Sequence, residues 1–189
     1  MTPDDLQHIM GCSPERAATY CEPLNAAMRR FDITTPAQQA AFLAQVGHES
    51  ARLVYVEELA PGTAYNGRPD LGNNTEDAFR WAGAALPGPY FKGHGLIQIT
   101  GFFNHRDCSI ALYPDDPETL LRAPRTLCQP ADAAMSAGWF WSMLMNLNAP
   151  ADSGSPADFE LITRKINGGI NGLADRQLLW AKAKEVLNA

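Results

Sequence analysis

The 189 residues are 46% hydrophobic and 19% charged, enough for one domain with an ordinary core, and they carry a formal net charge of −6 with a pI near 5.1. Binding to a phosphate backbone draws on clustered Lys and Arg, so this acidic balance excludes nucleic acid as the expected partner. No apolar run approaches the ~20 residues of a bilayer span. The opening Met1-Thr-Pro-Asp-Asp-Leu has neither the basic nor the apolar region of a secretion signal, so synthesis is expected to end in the cytoplasm. The four cysteines, Cys12, Cys21, Cys108 and Cys128, lack CxxC spacing and are expected to be reduced and mostly buried, with a Cys108–Cys128 bridge open to a chain that reaches an oxidising compartment.

Along the chain, a polar cap followed by proline announces helices at Thr2-Pro3, Ser13-Pro14, Thr35-Pro36, Asp116-Pro117 and Ser155-Pro156. Thr35 to Gln38 and Ser155 to Asp158 have capping-box spacing. Apolar residues recur at three- and four-residue steps in Tyr20, Leu24, Ala27, Met28 and Phe31, in Phe42, Leu43 and Val46, and in Leu179, Ala183 and Val186. The chain therefore reads as mainly α. Between Pro61 and Gly95 the composition turns to Gly, Pro, Asn and Asp, predicting a long irregular excursion pinned by Trp81, Tyr90 and Phe91 that forms one wall of a cleft. Residues 130 to 147, with Trp139-Phe140-Trp141, predict a central core helix, since aromatic stripes are more often core than ligand box.

Glu49 closes the amphipathic run Ala41 to Ser50, and Glu57 and Glu58 lie shortly after it. A carboxyl leaving the buried face of a helix at its end is partly desolvated, and the partial negative charge of a helix C-terminus disfavours a carboxylate. That suits a proton donor. A glycosidase needs such an acid and a second, ionised carboxylate. In an unbroken helix Glu58 would lie about 180° round the axis from Glu49. The β-branched and aromatic run Leu53-Val54-Tyr55-Val56 predicts instead that the helix ends near Arg52 and an extended segment returns Glu58 to the cleft. A gap of about 6.5–9.5 Å would then give inversion of configuration. His48-Glu49 lacks a second His four residues after the first, position 52 being Arg, so no zinc motif forms and neither metal nor cofactor is expected. Gly-x-Ser-x-Gly and P-loop motifs are also missing.

Taken together, Phe42-x-Ala-Gln-x-x-His48-Glu49-Ser50, Glu57-Glu58-Leu59, Gly93-x-Gly95-x-Ile97-Gln98-Ile99-Thr100-Gly101-x-x-Asn104 and Ile166-Asn167-Gly168-Gly169 resemble glycoside hydrolase family 19, most of all its phage and prophage endolysins. The resemblance covers residues 30 to 187. It implies Glu49 as general acid, Glu58 as general base in preference to Glu57, and Thr100 as the hydroxyl that orients the attacking water. It also implies sugar contacts from Gln98, Asn104 and Asn167, support of the acid by Arg176, and a cleft-orienting role for His48. The implied fold is a mainly α, lysozyme-like α+β single domain with little β structure: a helical N-terminal segment over residues 1–52, a cleft-forming irregular region over 53–115 and a helical C-terminal segment over 116–189.

Three departures from the family pattern stand out. His94 replaces the arginine of Gly-Arg-Gly, which would make the cleft pH-sensitive if it titrates near neutrality. Asn171 stands where plant chitinases carry a glutamate, and Phe103 where they often carry Tyr. The implied activity is inverting cleavage of β-1,4 bonds in bacterial peptidoglycan by a monomer that needs a separate holin-like pore to reach the wall. The alternatives are a chitinase, a non-catalytic glycan-binding protein in which His94 has cost the reaction, and an antibacterial toxin of the same chemistry.

Overall fold

A computed structural model describes residues 1–189. Helices α1 (Pro3–Met10), α2 (Pro14–Arg30) and α3 (Pro36–Glu49) each open on a Thr or Ser whose hydroxyl accepts the N3 backbone N–H, just ahead of a proline in the first turn. Thr35 and Gln38 complete a reciprocal capping box. The apolar face of α3 is buried along its whole length, from Ala40 to Gly47, making it the helix around which the core is built.

The extended return predicted after α3 begins later than expected, as a short bridged segment around Glu57. Ala51, Arg52 and Leu53 all take positive φ, at 47°, 61° and 65°. Left-handed residues in a row turn the chain too tightly for a strand, and the Ser50 hydroxyl holds the turn by donating to the Val46 carbonyl and accepting the Leu53 N–H. The helix thus ends at Glu49, and the chain leaves it through a tight corner. The only β structure is a pair of isolated antiparallel bridges, Glu57 to His94 and His94 to Ile99.

The region expected to be irregular contains more helix than its composition indicates: α4 (Glu76–Ala82), capped by Thr75, the single turn α5 (Pro87–Tyr90) and α6 (Phe102–Leu112). Phe91 and Phe102 bury themselves here in a small satellite core with Ala78 and Leu121, and Tyr90 anchors the excursion by donating its hydroxyl to the Leu121 and Arg122 carbonyls. Trp81 packs partly buried against the same cluster.

Helix α7 (Thr119–Arg122) starts later than Asp116-Pro117 predicts. The Asp116 carboxylate binds Arg122 and the Thr119 hydroxyl at the start of this helix. The core helix predicted over 130–147 is α8 (Pro130–Trp139) followed by a π-helical turn at Phe140–Leu144, after which Asn146 reverses the chain with φ 52°. Trp139 and Trp141 are core residues as expected, Trp141 meeting Phe42 edge-on at 5.5 Å between centroids and donating Nε1–H to Asn148.

After α9 (Asn148–Asp152) come α10 (Pro156–Asn167) and α11 (Leu173–Leu187). Ser155 caps α10, but Asp158 binds the Ser153 and Ser155 hydroxyls and not the cap N–H, so only half of the expected capping box forms. Helix α11 packs on α3, α2 on α8, and α1 fills the corner between α2 and α11. All four cysteines are free thiols, and no Cys108–Cys128 bridge exists; burial pushes the Cys108 thiol well above its ordinary range. No helix is long and apolar enough to cross a membrane.

Candidate active site

Packing of α11 on α3 brings the C-terminal stretch of the chain to the end of α3. Arg176, 2% exposed, reaches Glu49 Oε1 at 2.5 Å through Nη2 and Gln45 Oε1 through Nη1, while its Nε donates to the Asn171 carbonyl at 3.4 Å. Gln45 is itself buried and donates to the Thr163 hydroxyl of α10 at 2.9 Å. A buried guanidinium is tolerable only when paired and hydrogen-bonded, and here α3 and the turn before α11 share the task. Asn167 joins this group by donating Nδ2–H to the same Asn171 carbonyl at 3.0 Å. Position 171, where the family pattern in plants has a glutamate, therefore acts through its backbone.

His48 faces Asp175, its Nδ1 lying 2.7 Å from Oδ2, and the other Asp175 oxygen takes Arg52. Burial opposes charge on Asp175, but hydrogen bonds from Arg52 and His48 outweigh it and hold the carboxyl below its usual range. Gly172, at φ 73°, makes room for the imidazole: a Cβ there would run into His48 Cε1 and Nε2. Asp175 and Gln45 were not singled out in the sequence. Asp175 had a signal, since it immediately precedes Arg176, but its partner lies 127 residues away; Gln45 stands in the motif around Glu49 and gave no sign of facing Arg176.

Glu58 belongs to a second group. The bridge between Glu57 and His94 sets their neighbours in register, so that Glu58 N–H donates to the Gly93 carbonyl at 2.8 Å and Gly93 N–H donates to Glu58 Oε2 at 3.0 Å. The Tyr65 hydroxyl donates to Glu58 Oε1 at 3.0 Å, and burial first, then the carboxylate beside it, raise the phenol above its ordinary range. A Cβ on Gly93 would lie 2.7 Å from Gln98 Oε1, so a side chain here would displace the Gln98 amide. Glu57 is engaged differently: Lys92 Nζ and Arg125 Nη2 each lie 2.9 Å from its carboxylate.

The chain then turns through Gln98, at φ 57°, whose Nε2 donates to the Gly95 carbonyl. The Thr100 hydroxyl donates to the Gln98 carbonyl at 2.9 Å, and Asn104 Nδ2 to the Thr100 carbonyl at 2.7 Å. Gln98, Thr100 and Asn104 are therefore one continuous, partly exposed hydrogen-bonded unit. Phe103 packs under Arg106, whose guanidinium carbon is 5.0 Å from the ring centroid. No hydrogen bond joins the Glu58 group to the Glu49 group, and neither carboxylate lines any of the four cavities in the chain.

His94 departs from the sequence expectation. It is 1% exposed, and burial, then the charges of Lys92 and Arg125, lower it to about 4, so it does not titrate near neutrality. Its Nδ1 lies 3.1 Å from His105 Nε2, and His105, fully buried, is lowered to about 3. No group of side chains is arranged to hold a metal ion.

A helical frame thus carries one carboxylate at a helix end and a second on a bridged loop, the two kinds of group that a two-carboxylate glycosidase uses. No family model matches the chain. A glycosyl hydrolase family 19 domain-containing protein of Haemophilus influenzae is 29% identical over 192 aligned positions, covering 88% of both chains. An endochitinase of Arabidopsis thaliana is 33% identical over 84% of this chain, which spans half the length of that relative. Chitinase C from Streptomyces griseus HUT6037 shares the fold over the whole chain and 76% of its own, with a TM-score of 0.73 at 23% identity. A bacterial family 19 chitinase matches equally well over 95% of its length. The chain is thus similar in sequence to proteins named for glycoside hydrolase family 19 and for endochitinase activity, and it shares the fold of family 19 chitinases.

Proposed function

We propose that the protein hydrolyses β-1,4 bonds of N-acetylglucosamine-containing glycans with inversion, and that its substrate is bacterial peptidoglycan. The observation that carries the reading is the pair of differently held carboxylates. Glu49 gives its proton to the leaving glycosidic oxygen, and Arg176, in contact with Oε1, stabilises the carboxylate left behind. Glu58, held by a backbone N–H and a phenol, keeps lone pairs free to take a proton from the attacking water. Glu57, already bridging two cations, is the less suitable base.

Thr100 orients that water by a role its hydrogen bond fixes. Its O–H is spent on the Gln98 carbonyl, so the oxygen offers only lone pairs and accepts one water proton while Glu58 accepts the other. Gln98, Asn104 and Asn167 each commit one N–H to a backbone carbonyl, which fixes the amides and leaves a carbonyl oxygen and a second N–H for hydroxyl and acetamido groups of the sugar. His48, fixed by Asp175, orients the groove next to the acid.

Peptidoglycan is favoured over chitin by the endolysin-like motif pattern and by the phage-like position 171. We further infer an endolysin acting on the wall as a monomer after release from the cytoplasm through a separate pore. The test is digestion of purified peptidoglycan and of chitin oligomers by wild type and Glu49→Gln, with products read by mass and reducing end. New reducing ends from peptidoglycan, absent with the variant, are expected. Binding without cleavage by the wild type would mark a glycan-binding protein, and preferential turnover of chitin a chitinase.

A further inference from the structure

Residues alternate across the bridged ribbon that carries Glu58, so Glu57, Lys92 and His94 project from its other face. There they line a cavity of about 400 Å³ with Tyr90, Arg122 and Arg125, closed by proline and alanine side chains. The volume is that of a small-ligand site. We propose that this cavity binds a carboxylate of the peptide that branches from peptidoglycan, giving the enzyme a hold on its substrate that chitin has no group to satisfy. The inference rests on the peptidoglycan reading above.

The lining of the cavity carries three cations, Lys92, Arg122 and Arg125, and one carboxylate, Glu57. Lys92 and Arg125 share a single carboxylate, Glu57, at 2.9 Å each. Arg122 is held from behind by Asp116 and Glu118. The Arg125 side chain is 77% exposed and can turn to a ligand without uncovering any core.

His94 adds a directional contact. His105 donates Nδ1–H to the Gly101 carbonyl, at 2.8 Å, so its Nε2 is an acceptor; the 3.1 Å contact then requires His94 to donate from Nδ1 and leaves His94 Nε2 unprotonated. That nitrogen has no partner within the chain and belongs to a residue lining the cavity. A ligand that pairs with this site carries a negative group for Arg125 and Lys92 and an N–H or O–H for His94. A peptide carboxylate with its neighbouring amide offers both, and its aliphatic carbons suit the Tyr90 ring and the apolar walls better than a bare phosphate does. Lys92 also donates to the Glu58 carbonyl, at 3.0 Å, so the cavity sits one ribbon thickness from the base. A four-residue peptide spans up to about 14 Å and can round the ribbon edge.

The test uses the full chain, wild type and Arg125→Glu, with Arg125→Ala as a check on folding. Binding is measured for a disaccharide-tetrapeptide fragment of peptidoglycan, for the same fragment with its carboxylates amidated, and for a chitin oligomer of equal sugar number, with the His94 side-chain nitrogens followed by NMR. The acidic fragment should perturb His94 Nε2 and bind about fivefold more tightly than its amidated form, and Arg125→Glu should abolish the difference while leaving chitin-oligomer binding unchanged. Equal binding of acidic and amidated fragments, or a difference that survives Arg125→Glu, overturns the proposal. Cleavage of peptide-free glycan strands by the wild type is measured alongside. If they are cut while the carboxylates make no difference, the cavity assignment alone fails; if no peptidoglycan is cut in any form, the functional reading fails with it.

Discussion

Glu49 and Glu58 are held by opposite means. Glu49 sits at the end of a regular helix and is gripped by side chains from far along the chain, with Arg176, Gln45 and Thr163 linking α11, α3 and α10. Glu58 sits on a loop and is gripped locally, by the Gly93 backbone and the Tyr65 hydroxyl. The contrast suits the proposed chemistry. An acid that becomes charged during the reaction benefits from a fixed cation. A base that must receive a proton is better served by neutral donors, which orient it without tying it up as an ion pair.

The contrast breaks most completely at Arg176. Replacing it with Met leaves Gln45 and Glu49 without their shared donor in a region that excludes water from the guanidinium. Loss of one partner from a buried ion pair costs about 3–5 kcal/mol, and the half-open Glu49 end places the expected value near the lower bound. Urea unfolding should show that loss, together with at least a hundredfold fall in glycan hydrolysis, about 2.7 kcal/mol in activation free energy. A variant of unchanged stability would mean that the acid side is not organised around this residue.

On the base side the corresponding pressure is pH. His94 and His105 are lowered to about 4 and about 3 in the fold from an ordinary 6.5. Above pH 6.5 both are neutral in folded and unfolded chains alike and pH has no effect through them. As pH falls below 6.5 the unfolded chain takes up protons that the folded chain refuses, so stability declines until the folded values are reached. With two groups the fall is about 2 kcal/mol between pH 6.5 and 5.5. Chemical denaturation across that range should show it, and His105→Gln should roughly halve the slope.

The same division explains what the sequence made legible. Helix α3 and the helix starts at Thr2, Ser13, Thr35 and Ser155 follow from caps and periodicity, which are local, and the mainly α fold follows from them. The end of α3 was misplaced because Leu53 to Val56 have strand-like side chains, whereas the corner depends on a Ser50 hydroxyl taking two backbone partners. Helix α6 was hidden for a related reason: its buried residues, Phe102, His105, Cys108 and Ser109, include three that are not apolar in the usual sense. In the candidate site, Glu49, Glu58 and Thr100 are the residues that motif resemblance selects, whereas Asp175 is not among them, because it is brought to His48 by a contact between residues 127 positions apart.

Asp175 gives the next, smaller prediction. Asp175→Asn keeps the shape but removes the charge between Arg52 and His48. The site is partly exposed, so stability should change by about 1 kcal/mol or less. Displacement of His48 beside the acid should lower kcat by about tenfold through misorientation, with KM for oligomers altered less. An unchanged kcat would mean that neither Asp175 nor His48 positions the reacting groups.

The mildest change is Tyr65→Phe. It deletes one donor to Glu58 and leaves the Gly93 N–H in place, so the carboxylate keeps its position and loses only part of its hydrogen bonding. One such bond to a charged acceptor is worth about 1.5 kcal/mol at the lower end of its range, and with the Gly93 N–H still in place a fall of about tenfold in kcat is expected. The split between the two kinetic constants carries the information. Loss of a group that holds Glu58 in place lowers kcat and leaves KM for oligomers little changed. A raised KM with kcat unchanged would mean that Tyr65 contacts the substrate and not the base, and the local grip on Glu58 would then reduce to the backbone of Gly93.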